Sequence, residues 1–445
     1  MTFAENLRSA TAVAAALLAF GQAAAAPPPD ARADLPAFMG FAIAQACKAP
    51  LADADADAAA AGPELAQRFA GARLLEARIY DFLGAPGRVE YKLLLANGDE
   101  VRVERLVPLG RLRRVTIEYH RHVAADRTQP VMSVALDHEC AVLRAGRIDY
   151  DADSRAEALA GLAPDLRAET SRQPLNPPMP PGTDPGGVAV AVIDTGVNYL
   201  LDAVARRLAR DASGRVLGYD YWDMDDRPFD LDTARSPFFP LHHGTAVASI
   251  FLREAPAARI IPYRYPRPDL KRMADVVADA DRNGAVVAYM AMGSNKRADW
   301  DALAEAAAAR PHMLFVVSAG NDNRDIDKVP VYPAALKLPN FLVVTSADAF
   351  GRLAAGSNWG RDSVDVMVPG EQVPVFDHRG AEGKASGSSF AVPRVAALAA
   401  RLMAKNPAWR GPELKQAIIA RARLSRFYDP QPVRHGWIPD PTDDF

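Results

Sequence analysis

Three short segments of this chain carry side chains able to activate a nucleophile, and they come in the order aspartate, histidine, serine. In Val190-Ala191-Val192-Ile193-Asp194-Thr195-Gly196-Val197 an apolar run ends in a carboxylate and a turn. A carboxylate at the end of a buried strand can orient an imidazole or cap a helix. In His242-His243-Gly244-Thr245-Ala246-Val247-Ala248-Ser249 the small residues after His243 read as the first turns of a helix packed close on a sheet. A histidine at that start has one ring nitrogen for a cleft and one for a carboxylate. In Ser386-Gly387-Ser388-Ser389-Phe390-Ala391-Val392-Pro393 a serine opens an alanine-rich helix. There the helix dipole is positive and backbone N–H groups point outward, which suits a nucleophile that leaves an oxyanion beside it. Taken singly, each segment has a plain structural reading: a helix cap, a surface histidine pair, an N-cap.

These residues need a scaffold, and the second half of the chain has the grammar for one. Apolar runs at 188–193, 259–262, 285–291, 313–318, 341–346 and 364–368 alternate with helical segments. The pattern predicts an α/β fold, a buried parallel sheet with helices on both faces, whose ligands gather at the carboxyl ends of the strands. The first half reads differently. Residues 35–72 have helical spacing, with Phe38, Phe41, Ala42 and Ala46 on one face, interrupted by an Ala/Asp alternation at 52–60 that reads as a solvated loop or a weak helix. From Leu74 the period becomes two, and Asn97-Gly98 marks a hairpin between strands. A small α+β domain with an antiparallel sheet is expected over 27–163, a Pro/Gly linker over 164–187, the α/β domain over 188–430 and an acidic tail over 431–445.

Residues 1–26 combine Arg8, an apolar stretch from Ala10 to Phe20 and an alanine-rich exit before Pro27, the organisation of a secretory signal peptide. Export predicts a secreted or periplasmic protein with no stable membrane anchor once the leader is removed. The two cysteines, Cys47 and Cys140, are either one bridge or two buried thiols. Over 445 residues the hydrophobic share is 49%, the charged share 24% and the formal net charge −3. That balance excludes wholesale disorder and a polytopic membrane protein, and it supplies no basic field for nucleic acid.

Taken together, Asp-Thr-Gly, His-Gly-Thr and Gly-Ser-Ser-Phe-Ala-x-Pro, with Ser318-Ala319-Gly320-Asn321 between the last two, resemble the signatures of the subtilisin-like serine protease (subtilase) family. Tyr332-Pro333-Ala334, Ser357-Asn358-Trp359-Gly360 and Val364–Gly370 add secondary matches over residues 188–425. The resemblance implies a subtilisin-like fold and a serine endopeptidase acting through an acyl-enzyme. It implies Ser389 as nucleophile, His243 as general base and then acid, and Asp194 as the residue that holds the imidazole. Asn321 and the Ser389 N–H would bind the oxyanion. A polypeptide substrate would lie extended between walls formed by Ala291, Met292, Gly293 and Ser294 on one side and Ser318, Ala319 and Gly320 on the other. Ser294 stands where the family usually has glycine and is expected to crowd the first pocket. Ala246 and Arg394 also depart from frequent histidines. By the same resemblance residues 27–163 stand where an inhibitory propeptide would. A catalytically silent binding protein, or a protease whose N-terminal domain is the functional binder, are the competing readings.

No cofactor and no metal ligand are expected. Asp220, Asp223, Asp225, Asp226, Asp230 and Asp232 crowd one loop and admit calcium, but lack fixed ligand spacing and read as a solvated loop. His120, His122 and His138 with Cys140 invite a metal, yet strand pairing would keep His138 apart from the others.

Overall fold

Apolar runs without a polar face need cover on both sides, and the computed structural model gives them that cover. The structure describes residues 7–8, 29–48, 58–69, 71–82, 85–124 and 127–443. The expected leader, apart from Leu7 and Arg8, lies outside them, as do residues 52–57 of the Ala/Asp alternation. Among the described residues no helix is long and apolar enough to cross a membrane. The chain divides into two compact units, one of Thr2–Asn176 with Ser236–Phe239, the other of Pro177–Arg235 and Pro240–Phe445.

Among the described residues the first unit is an antiparallel meander of nine strands in strict chain order: Leu7–Arg8, Arg73–Phe82, Ala85–Leu94, Glu100–Leu106, Arg114–Ala124, Arg127–Leu136, Val142–Tyr150, Ala156–Leu162 and Glu169–Pro174. Period-two alternation sends Val101, Val103, Val115, Ile117 and Tyr119 to one face, where they are buried with Phe38, Met39 and Ala42 of helix Leu35–Lys48. Phe38 meets Tyr119 edge-on at 5.6 Å between ring centroids. The stretch expected to be helical over 35–72 holds a second helix at Ala58–Arg68, which begins inside the 52–60 interruption. Cys47 and Cys140 form a disulfide spanning 93 residues, which settles the choice left open by the sequence. In the chain-entropy view a closure of that length stabilises by about 4–5 kcal/mol.

The main sheet of the second unit has seven described strands, all parallel: β1 (Ala189–Asp194), β2 (Tyr219–Asp220), β3 (Arg259–Arg264), β4 (Val287–Met290), β5 (Leu314–Ser318), β6 (Phe341–Ala347) and β7 (Val366–Pro369). Their order is β2-β3-β1-β4-β5-β6-β7. Val190, Val192, Tyr289, Val316 and Val344 face helices α1 (Gly244–Glu254), α4 (Ser388–Lys405) and α5 (Gly411–Ile419). Ala191, Ile193, Met290, Val317 and Val343 face α2 (Met273–Arg282) and α3 (Asp301–Ala308). A two-stranded hairpin of β8 (Val373–Phe376) and β9 (Glu382–Ala385) precedes α4. Chain order reverses direction at β1, so the crevice beyond its carboxyl end is where an open α/β sheet holds its ligand.

Two expected boundaries need correction. The stretch 164–187 is not all linker, because Glu169–Pro174 pairs with Ala156–Leu162 as the last strand of the meander. Its six residues are polar or proline and almost wholly exposed, so no apolar alternation announced it. The following prolines belong to the second unit. The Pro177 carbonyl accepts from the Tyr199 hydroxyl, and Pro180 and Asp184 accept from Arg210. Residues 431–445 are likewise not a free tail: Val433 and Ile438 are buried, and Trp437 exchanges backbone hydrogen bonds with Arg423.

Candidate active site

Asp194 is the last residue of β1, only 1% exposed; it pairs with Arg264 of β3, while the pairing of β1 with β4 ends at Ile193. The Thr195 N–H donates to its Oδ1 at 2.7 Å. His243 is the residue that caps α1, and its Nδ1 lies 2.7 Å from the same Asp194 oxygen. That contact leaves Nε2 for a substrate-side proton. The close approach depends on Gly244, where an added Cβ would stand 2.0 Å from the Gly196 carbonyl oxygen and 3.1 Å from the Asp194 Cβ. Burial alone would push the His243 imidazole down. The Asp194 carboxylate, with Asp230 and Asp232 behind it, outweighs that and raises the pKa from 6.5 to about 9.

Ser389 is the second residue of α4, which begins after Gly387. Gly387 has φ 133°, a backbone shape that side-chain-bearing residues rarely adopt, and α4 starts directly after that turn. Phe390, next to Ser389, stands 6.0 Å ring to ring from His243. The Ser389 hydroxyl donates to the Ala291 carbonyl at 3.3 Å, a long bond. A rotation about one side-chain torsion redirects it, and catalytic contacts commonly tighten only when substrate is bound.

Asn321 is held by its oxygen. The Ser388 N–H and hydroxyl donate to Asn321 Oδ1 at 2.9 and 3.0 Å, which fixes the side-chain amide beside the start of α4. Ser388 in turn shares a 2.7 Å hydrogen bond with Ser318 at the end of β5. The loop carrying Asn321 is pinned by Asn358, which is fully buried. Its Oδ1 accepts from the Asp322 and Arg324 amides, and its Nδ2 donates to the Ala319 carbonyl. In the sequence Asn358 has a place in a motif, and its role shows only once the fold sets it under this loop.

Of the two expected pocket walls, Ala291, Ser318 and Ala319 are buried, Met292 and Gly320 are half-buried and Gly293 is exposed. Ser294 bridges to Tyr332 through the backbone, and its hydroxyl accepts from the Trp300 indole N–H at 2.9 Å. The side chain expected to crowd a pocket is thus engaged by Trp300.

The acidic loop is not simply solvated. Asp220 and Asp223 both pair with the buried Arg264, and Asp230 is fully buried. Asp230 accepts from the Thr195 hydroxyl at 2.5 Å and from the amides of His243 and Thr245 at 3.1 and 3.0 Å. It therefore caps the helix that presents His243, a part sequence reasoning missed because Asp230 sits among other aspartates. His120 pairs with Glu118, His138 is exposed, and Cys140 is in the disulfide, so the metal reading of that group has no geometry behind it.

Residues 186–437, more than half the chain, match the Subtilase family. The chain belongs to the subtilase family. This subtilase is 31% identical over 247 residues to the "Thermophilic serine proteinase" of Bacillus sp. (strain AK1), covering 52% of this chain and 55% of that one. It is 27% identical over 274 residues to the "Alkaline serine exoprotease A" of Vibrio alginolyticus, covering 59% and 47%. A cold-adapted subtilisin-like serine proteinase of known structure is 23% identical and superposes with a TM-score of 0.45 over 60% of this chain and 93% of its own. The subtilase described here spans about half the length of the curated relatives it matches.

Proposed function

We propose that this subtilase is an exported serine endopeptidase. The observation that carries the reading is the 2.7 Å contact between Asp194 and His243 at the sheet's reversal point, with Ser389 opening the facing helix. Ser389 Oγ attacks the scissile carbonyl carbon while its proton passes to His243 Nε2. The Ser389 N–H and the Asn321 NH2 take up the oxyanion. Collapse breaks the C–N bond, and the amine leaves with the proton from His243. Water then repeats the sequence on the acyl-enzyme. The substrate lies extended along Ala291–Ser294 and Ser318–Gly320, main chain to main chain. Every group needed comes from the chain, so no cofactor enters these steps. The Cys47–Cys140 bridge suits an oxidising compartment and supports export.

One relative is named an exoprotease, so the substrate should decide the mode. A quenched fluorescent peptide blocked at both ends is expected to be cut internally by wild type and left intact by Ser389→Ala. Cleavage only of peptides with a free end, or equal cleavage by both proteins, contradicts the proposal. The N-terminal unit is proposed as an intramolecular inhibitor released by self-cleavage. Paired intact masses of wild type and Ser389→Ala test this, with a cut within residues 150–190 expected in the wild type alone.

Two further results are expected. Asn321→Leu removes one oxyanion donor and should lower kcat by about 10²–10³ with KM little changed. A loss below tenfold would remove Asn321 from that role. The second concerns pH. His243 accepts a proton from Ser389 only when neutral, so activity falls as pH drops through its pKa. With that pKa raised to about 9, the acid limb of kcat/KM should lie well above 6.5. A limb at or below 6.5 would show that Asp194 does not hold the imidazole in the free enzyme.

A further inference from the structure

We propose that Asp230, His242 and His378 form a binding site for a divalent transition-metal ion of the zinc class, beside the catalytic helix and apart from the triad. His378 sits in the turn between β8 and β9, its side chain is 10% exposed, and its buried Nδ1 has no hydrogen-bond partner. Buried polar atoms without partners are rare, and a missing ion is one reason for them.

That nitrogen faces a carboxylate with capacity to spare. An ionised carboxylate has about four acceptor positions. Asp230 uses two on Oδ1, for Thr195 and His243, and one on Oδ2, for Thr245. Oδ2 lies 3.5 Å from His378 Nδ1. This is long for a hydrogen bond between an imidazole and a carboxylate, which falls at about 2.7–2.9 Å. It matches the separation of two ligands on one tetrahedral ion, roughly 3.4 Å for metal–ligand distances of about 2.0–2.1 Å.

His242 supplies the third ligand. Its ring stacks on His378 at 3.6 Å, and one ligand atom from each of the three residues lies within 4.8 Å of the others. Its Nδ1 hydrogen-bonds the Asp230 backbone carbonyl at 2.6 Å, the kind of contact that orients metal-ligating histidines. The rings are 13° from parallel, so ligation by both tilts one out of the stack. The edge between Asp230 and His378 needs no such movement. Two imidazoles and one carboxylate suit zinc and its neighbours over calcium or magnesium, and three protein ligands leave a position for water. The ion would tie together three segments distant in sequence: the acidic loop, the residue before His243 and the β8–β9 turn.

The test uses the full-length Ser389→Ala protein, stripped with chelator, so that its readout is independent of proteolysis. Titration with Zn2+ by calorimetry should show one equivalent bound, with a higher Tm. His378→Ala and His242→Ala should each weaken that binding at least tenfold, while His312→Ala, outside the cluster, should not. Should a histidine variant fail to fold, Co2+ added to the parent protein should give visible absorption of a four- or five-coordinate ion with nitrogen ligands. No stoichiometric Zn2+ binding would overturn the proposal. Undiminished affinity in His378→Ala, or a Co2+ spectrum of six oxygen ligands, would do the same.

Discussion

Replacing Ser389 with alanine is expected to lower kcat by about a millionfold while leaving the fold intact. The size follows from the role: without the hydroxyl no acyl-enzyme forms, and only oxyanion stabilisation and substrate binding remain to assist direct attack by water. Intact folding follows from the surroundings. The one hydrogen bond of the hydroxyl is the 3.3 Å contact with the Ala291 carbonyl, so its loss removes little stability. The start of α4 is held instead by Ser388, Ser318 and Asn321. His243→Ala should cost nearly as much, and the double variant scarcely more, because the residues act as a unit. Steady-state kinetics and thermal melts of the three proteins check this. A loss below about a hundredfold, or a roughly multiplicative double variant, would mean that Ser389 and His243 do not share one proton transfer.

Asp194→Asn should lower kcat by about 10⁴ and change the pH profile as well. Asparagine is close to aspartate in shape, but removes the charge that favours the imidazolium formed in the transition state. Its NH2 can also face His243 Nδ1 and select the wrong tautomer. The environment then reverses the titration. With the carboxylate gone, burial is the larger influence on His243 and pushes its pKa down from about 9. The residual activity should therefore have an acid limb at lower pH than the wild type. An unchanged limb would show that another group, not Asp194, sets the His243 charge. Asp230 and Asp232, the next contributors, would then be the groups to vary.

Much of this site could be read from the chain because its chemistry is local. Asp194, His243, Ser389 and Asn321 each sit in a run of residues whose types fit one turn or helix start, and the apolar runs place those turns at strand ends. The parts that could not be read are those made by distance. Asp230 was one aspartate among six until the fold set it against the amides of His243 and Thr245. His378 has no local motif, and only the β8–β9 turn brings it to His242. The two-residue strand Tyr219–Asp220 and the polar strand Glu169–Pro174 escaped for a different reason. Both are edge strands: Tyr219–Asp220 is too short to show a period and buries an aspartate, and Glu169–Pro174 is almost wholly exposed, so neither leaves a hydrophobic period to detect. The disulfide was undecidable from two cysteines alone, since either pairing or burial satisfies them.

The central claim is that Ser389 is an activated nucleophile, and a fluorophosphonate probe tests it most directly. The probe reacts with a serine only where a base takes the proton and donors hold the phosphoryl oxygen. Folded full-length protein should gain one adduct, mapped by peptide mass to Ser389 and absent from Ser389→Ala and from heat-unfolded wild type. A folded, disulfide-intact protein that gains no adduct, or gains one on a different serine with Ser389 unmodified, would contradict it.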